Sequence, residues 1–176
     1  MLSGETSVGD YPVIVVETMA RIIESTEEHG LERIPPLNTK PRTQGGAITL
    51  AALEVAEFVD AKFLCVFTQS GDSARRLSRL RSRIPMLAFT PEPGIRRRMA
   101  LTWGIHSTLV DLVQHTDAMY HQVDEYLLGN GLAEEGDKVV VISGSPPGII
   151  GSTNDLRVHK VGDAIRGAAP VYKNGI

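Results

Sequence analysis

Val139–Val161 reads VVVISGSPPGIIGSTNDLRVHKV. Its first four residues are β-branched and apolar, which predicts a buried strand over Val139–Ile142. A loop carrying Gly144, Gly148, Gly151, Pro146 and Pro147 follows. Leu156–Val161 then alternates as a second strand. No helix separates the two, so the second strand is expected to return antiparallel and to lie at a sheet edge. A buried strand ending in such a loop puts backbone N–H groups at the carboxyl end of a sheet, where they can hold an anion.

Upstream of this stretch, apolar runs alternate with helical patterns. Phe63–Phe67, Met86–Phe89 and, more weakly, His106–Val110 read as strands. Ser73–Ser82, Ile95–Trp103 and Asp117–Leu128 read as helices. Gly104 and Gly129 are the expected stops, and Thr116 or Asp117 the cap of the last helix. Strands separated by helices predict βαβ units. The fold class is therefore α/β: a three-layer α/β/α sandwich around a mainly parallel five-stranded sheet with an antiparallel edge strand. Thr43–Val59 reads as a further helix, polar in its body only at Thr49, Glu54 and Glu57. That composition predicts a largely buried helix with one wet stripe.

The N-terminal part is different. Over Tyr11–Glu28, Val13, Val16, Ala20 and Ile23 recur at helical spacing, with Asp10 as cap, Pro12 in the first turn and Gly30 as stop. Leu31–Arg42 holds three prolines and no period, and reads as a linker. The expected organisation is thus a helical segment over 1–30, a linker over 31–42, an α/β domain over 43–163 and a loose polar tail over 164–176.

The 176 residues carry a net charge of −3, with 42% hydrophobic and 22% charged residues. This is a globular composition, and no apolar run approaches a membrane span. No membrane partner is expected. The N-terminus is acidic and polar, unlike a signal peptide. Cys65 is the single cysteine. It sits in the apolar run Phe63–Phe67 and reads as an inert buried thiol, suited to a cytoplasmic location. Arg75, Arg76, Arg79, Arg81 and Arg83 share a helix with Leu77 and Leu80 and read as its solvated face. Without an aromatic platform they do not suggest nucleic acid. Arg96, Arg97 and Arg98 read the same way, with one of them able to reach an anion or a neighbouring subunit. The five histidines lack metal-ligand spacing. Trp103 reads as core. Asp111, Asp117 and Asp124 form no acid–base pair at their spacing, and no GxSxG or Cys/His arrangement occurs. No catalytic residue and no metal ligand is assigned.

Two loops remain as candidate sites. Thr68, Gln69, Ser70, Gly71, Asp72 and Ser73 link a buried strand to a helix. Hydroxyls of Thr68, Ser70 and Ser73 can converge there with the unpaired N–H groups of a helix start, a combination that binds phosphate without a lysine. The same residue types also serve plain capping and turn geometry. The second loop runs from Gly144 to Asn154. Gly148 and Gly151 allow close backbone approach to an anion, Ser152 and Thr153 add hydroxyls, and a structural connection is the competing reading. Both loops should leave the same end of one sheet and face one ligand.

The segments MLSGETSVGDYP at Met1–Pro12, FTQSGDSARRLSRLR, LAFTP, ALTWGI and GDKVVVISG–GSTNDLRVHKV follow one another in an order and spacing that resemble pyruvate kinase from Met1 to about Val161. The resemblance implies that MLSGET ends the last strand region of a β/α barrel and that the helix at Tyr11–Glu28 packs on the barrel's outside. The remainder would be the C-terminal α/β domain. That domain binds sugar phosphates or nucleotides in many members and supplies a subunit interface. Phosphate would then rest on Thr68, Gln69, Ser70, Gly71 and Ser73, with Gly148, Gly151 and Ser152 closing over it. A homo-oligomer would form through the C-terminal edge strand.

The departures from the family matter equally. Most of the barrel has no counterpart here, and the substrate, Mg²⁺ and K⁺ ligands of the family lie in it. Those cofactors are implied for an intact enzyme and not for this chain. Ser3 and Glu5 fall near the barrel's active-site end and cannot transfer a phosphoryl group unaided. The chain is expected to be a fragment, a truncated product or a cut domain, with Met1 an internal methionine of a longer protein. Animal members that bind a sugar bisphosphate carry Trp and Arg where this chain has Ser145 and Pro146, and their loop is one residue shorter. Less positive charge at that point favours a monophosphate or nucleotide. The competing readings are a purely structural or oligomerisation domain with vestigial phosphate loops, and a small independent Rossmann-like enzyme, against which stands the missing base–nucleophile pair.

Overall fold

The computed structural model describes residues 1–30, 33 and 40–165. The expected linker over 31–42 and tail over 164–176 fall largely outside them. The chain divides into two compact units, Met1–Asn38 and Thr39–Ile176.

In the first unit a short helix, α1 (Gly4–Ser7), precedes a long one, α2 (Pro12–Gly30). Helix α1 is absent from the sequence reading. Thr6 and Ser7 hydroxyls bond back to the Ser3 carbonyl, and the Ser3 N–H donates to Glu5 Oε2 at 2.9 Å. These local bonds wind the turn, and backbone N–H groups of Glu5 and Ser3 hold the Glu5 carboxyl below its usual range. Helix α2 is present as expected but buries none of its residues. Val13, Ile14, Val16, Ile22 and Ile23 are all exposed.

In the second unit, α3 (Gln44–Phe58), β1 (Phe63–Phe67), α4 (Asp72–Arg79), β2 (Met86–Thr90), α5 (Pro93–Met99), β3 (Ile105–Leu109), α6 (Thr116–Gly129), β4 (Lys138–Gly144) and β5 (Thr153–Lys160) follow in order. The sheet runs β3-β2-β1-β4-β5. Its first four strands are parallel, and β5 pairs antiparallel with β4 at the edge. Period-two alternation splits the strands between two cores. Leu64, Val66, Ala88, Val140 and Ile142 pack under Ala52, Ala56, Leu77 and Met99 of α3, α4 and α5. Cys65, Leu87, Phe89, Val139 and Val141 pack under Tyr120, Val123 and Leu127 of α6. Each fully buried Leu or Val contributes about 1.5–3 kcal/mol by the area it removes from water. Cys65 is fully buried, and burial pushes its thiol pKa up, the state of an inert thiol.

The differences from the sequence reading have local causes. Helix α4 ends at Arg79, short of Ser82, because Arg81 turns left-handed at φ 54° and lays its guanidinium 4.4 Å over the Trp103 ring. Helix α5 ends at Met99, short of Trp103, and the Trp103 carbonyl accepts from Ser78 Oγ at 2.7 Å. Helix α6 is capped by His115 without a side-chain bond, where Thr116 or Asp117 was expected. The left-handed residue after it is Gly131, not Gly129. Thr49 is not part of a wet stripe on α3. It is 2% exposed, and its hydroxyl donates back to the carbonyls of Gly45 and Gly46.

Candidate functional site

Strands β1 and β4 lie side by side, yet the chain leaves β1 toward β2 on one side and reaches β4 on the other. This is the point of an open α/β sheet where strand order reverses and a crevice forms beyond the carboxyl ends. The β1–α4 turn and the β4–β5 loop both emerge there. A cavity of about 350 Å³ occupies the crevice.

The β1–α4 turn forms one wall. Gly71 sits at φ 77°, a left-handed position that favours glycine because a side chain there strains the backbone. Its N–H donates to Thr68 Oγ1 at 2.9 Å. The Asp72 N–H donates to Ser70 Oγ at 3.3 Å, and Arg75 Nη1 to the Ser70 carbonyl at 3.2 Å. Thr68, Gln69, Ser70 and Ser73 line the cavity, whereas Gly71 lies behind them as the hinge of the turn.

The β4–β5 loop forms the facing wall, through Gly144, Gly148, Ile149, Ile150, Gly151, Ser152 and Thr153. Asn154 clamps its neck, since its Oδ1 accepts from the Ser145 N–H and its Nδ2 donates to the Ser145 carbonyl, each at 2.7 Å. A Cβ on Gly144 would collide with Ser152 Oγ, which would have to rotate off the Ile149 carbonyl it donates to. Ile149 and Ile150 are exposed at the tip. The two walls meet where Ser73 Oγ and Thr153 Oγ1 share a hydrogen bond of 2.6 Å.

Two further sides come from residues that the sequence reading did not select. The start of α3 contributes Thr43, Gln44 and Gly45, and α4 contributes Arg76. Thr43 caps α3 by accepting from the Gly46 N–H. Arg76 donates from Nε to Asp72 Oδ2 at 2.6 Å and from Nη1 to Thr43 Oγ1 at 2.9 Å. The remaining side is mostly apolar, with Phe67, Phe89, Val110 and Met119. Gln122 stands there too. Its Nε2 donates to the Asp111 carbonyl at 2.9 Å, and its buried Oε1 has no partner among the described residues.

A polar network roots the loop on α6. Tyr120 Oη and Ser143 Oγ both donate to Asp155 Oδ2 at 3.1 Å. The Tyr120 ring stacks on His159 at 5.3 Å, and the Arg157 guanidinium lies 4.3 Å over its centroid. Burial, and after it the Asp155 carboxylate, push the Tyr120 hydroxyl up to about 12. Next to it His159 Nε2 and Asp124 Oδ1 are 2.7 Å apart, and Asp124 Oδ2 accepts from the Ala164 N–H. Both side chains are sealed in the core, at 2% and 0% exposure. They hold structure and reach no substrate. Among the described residues no three His, Cys, Asp or Glu side chains form a metal-binding group.

Residues 46–159 match the family described as "Pyruvate kinase, alpha/beta domain". The chain belongs to the pyruvate kinase family. It is 50% identical over 163 residues to the pyruvate kinase of Mycobacterium tuberculosis, covering 93% of this chain and 34% of that protein. It is 47% identical over 166 residues to the pyruvate kinase of Corynebacterium glutamicum, covering 94% and 34%. A crystal structure of a pyruvate kinase from Cryptosporidium parvum shares the fold at a TM-score of 0.76 and 24% identity, covering 92% of this chain and 32% of that one. The chain therefore spans about a third of the length of the pyruvate kinases it matches, and its match lies in their C-terminal part. No described helix is long and apolar enough to cross a membrane.

Proposed function

We propose that this chain is the effector-binding and subunit-interface part of a pyruvate kinase. The observation that carries the reading is the cavity at the strand-order reversal, onto which both expected loops open. A phosphorylated small molecule, a sugar monophosphate or a nucleotide, enters with its phosphate toward Thr68, Gln69, Ser70 and Ser73. Gly71 holds the turn, and Gly148, Gly151 and Ser152 close over the ligand, bringing Ile149 and Ile150 onto its less polar part. The intact enzyme converts phosphoenolpyruvate and ADP to pyruvate and ATP in the cytoplasm, with Mg²⁺ and K⁺ in its barrel. This chain supplies no turnover alone. It acts by binding the effector more tightly in one state of the enzyme than in another. Strand β5 pairs only with β4 within the described sheet, and its free edge is the surface for a second copy.

The first test is thermal unfolding of the chain with glucose 6-phosphate and with AMP. A ligand that binds the folded state alone raises the midpoint, by about 2.7 kcal/mol of stabilisation at a hundredfold excess over Kd. Ser70→Asp, which places a carboxylate where the phosphate rests, should remove the shift. A purely structural role for the loops has its own support, because the turn's Gly71 and Asp72 N–H groups are already paired internally. No midpoint shift with any phosphate ester would establish that reading instead.

A further inference from the structure

The cavity has a charge problem that the two loops do not solve. Its ionisable lining side chains are Asp72, Asp111 and Arg76, two carboxylates against one guanidinium. Neutral donors remain in the β1–α4 turn, since Thr68 and Ser70 accept from the Gly71 and Asp72 N–H groups and keep their own O–H protons while the Ser73 hydroxyl shares a bond with Thr153, but none of them carries charge. Arg75 stands outside the lining, on the Ser70 carbonyl and 3.9 Å from Asp72, so among the lining side chains only Arg76 offers positive charge to a phosphate dianion.

Arg76 is placed to do so. It leaves α4 one turn beyond the phosphate-type loop and lines the cavity between that loop and the start of α3. Asp72 at 2.6 Å and Thr43 at 2.9 Å hold its Nε and Nη1. Nη2 has no partner among the described residues. A guanidinium fixed on two of its edges offers the third to a phosphate oxygen with little loss of rotamer freedom. At 31% exposure its charge is only partly screened. Asp72 plays two opposed parts: it orients the guanidinium and it competes with any incoming anion for it.

We infer that Arg76 is the charge-selecting residue of this cavity, and that Asp72 restrains it until a phosphate monoester binds. The inference rests on the effector reading and assigns its specificity to a residue outside both loops. The ligand's dianionic head sits between the start of α4 and Arg76, and Thr43 ties that contact to the first turn of α3.

Calorimetric titration of the full chain at low salt, with inorganic phosphate and with glucose 6-phosphate, provides the test. Loss of a charge-assisted bond predicts that Arg76→Gln weakens both probes by about tenfold or more. Arg76→Lys keeps the charge and should stay within about threefold, and it also serves if Arg76→Gln does not fold. Asp72→Asn frees the guanidinium and should tighten both probes by about threefold. Opposite signs for Arg76→Gln and Asp72→Asn support the inference, since both break the same ion pair and a merely structural pair would shift binding in one direction. Unchanged binding in Arg76→Gln, with binding abolished in Ser70→Asp, overturns the role of Arg76 and leaves the effector site standing. Failure of the unaltered chain to bind either probe overturns the effector reading and this inference with it.

Discussion

The two loops that meet at the cavity are built on opposite plans. The β1–α4 turn is short and internally bonded, with Thr68 holding the Gly71 N–H from a buried position and Ser70 holding Asp72. The β4–β5 loop is long and held at its neck by Asn154, while its tip exposes Ile149 and Ile150. The first plan gives a fixed cradle whose geometry exists before any ligand arrives. The second gives a cover, anchored at its root by Asn154 and closed near its tip by the Ser152 N–H and hydroxyl on the Ile149 carbonyl. On the proposed effector reading, one wall sets the position of a phosphate while the other meets whatever the phosphate carries.

The contrast can be broken at three points. The largest effect is expected from Gly144→Ala. Its Cβ would overlap Ser152 Oγ, so that hydroxyl must swing away and give up its bond to the Ile149 carbonyl, at a cost of about 2 kcal/mol measured by urea unfolding. A cost near zero would show that the neck is as pliable as the tip. Thr68→Val tests the cradle. It leaves the buried Gly71 N–H without an acceptor, at about 1–2 kcal/mol, and phosphate binding should weaken together with stability. Asn154→Ala tests the cover and should have the smallest effect on global stability, under about 1 kcal/mol, because the clamp is exposed. Its signature is local: faster hydrogen exchange across Ser145–Ser152 with no change at Thr68–Ser73. Equal acceleration in both segments would mean that they open as one unit.

The middle of the sheet was legible because β1, β2 and β4 carry nearly unbroken apolar runs. Phe63–Phe67 is the strand in both readings, and the antiparallel return of the last strand followed from a connection with no helix. Helix ends were less legible because they depend on contacts far along the chain. Nothing near Arg81 announces that it will stack on Trp103, and that contact goes with the early end of α4. Thr49 misled for a related reason, since a threonine can satisfy its own hydroxyl on the preceding turn and be buried. The two loops were visible as residue types at strand ends. Arg76 was not, because it stood among four other arginines on one helix. Only the fold shows that the first turn of α4 borders the cavity and that Thr43 approaches from another helix. Helix α2 gives the complementary lesson. Its apolar spacing announced a helix, yet Val13, Val16 and Ile23, which set that spacing, are exposed.

The strand order has a consequence for how the protein is made. β1 finds its neighbour in β4, pairing Phe63 with Val139 across the whole intervening α/β segment. Until that distant pairing forms, the cradle after β1 has no opposite wall and no cover. As the chain leaves the ribosome, β1, β2 and β3 can assemble in turn, but the crevice closes only after Thr153 has emerged and β5 has folded back. The crevice is thus among the last features to mature, and a ligand held there on the proposed reading would report that the far end of the sheet has been completed.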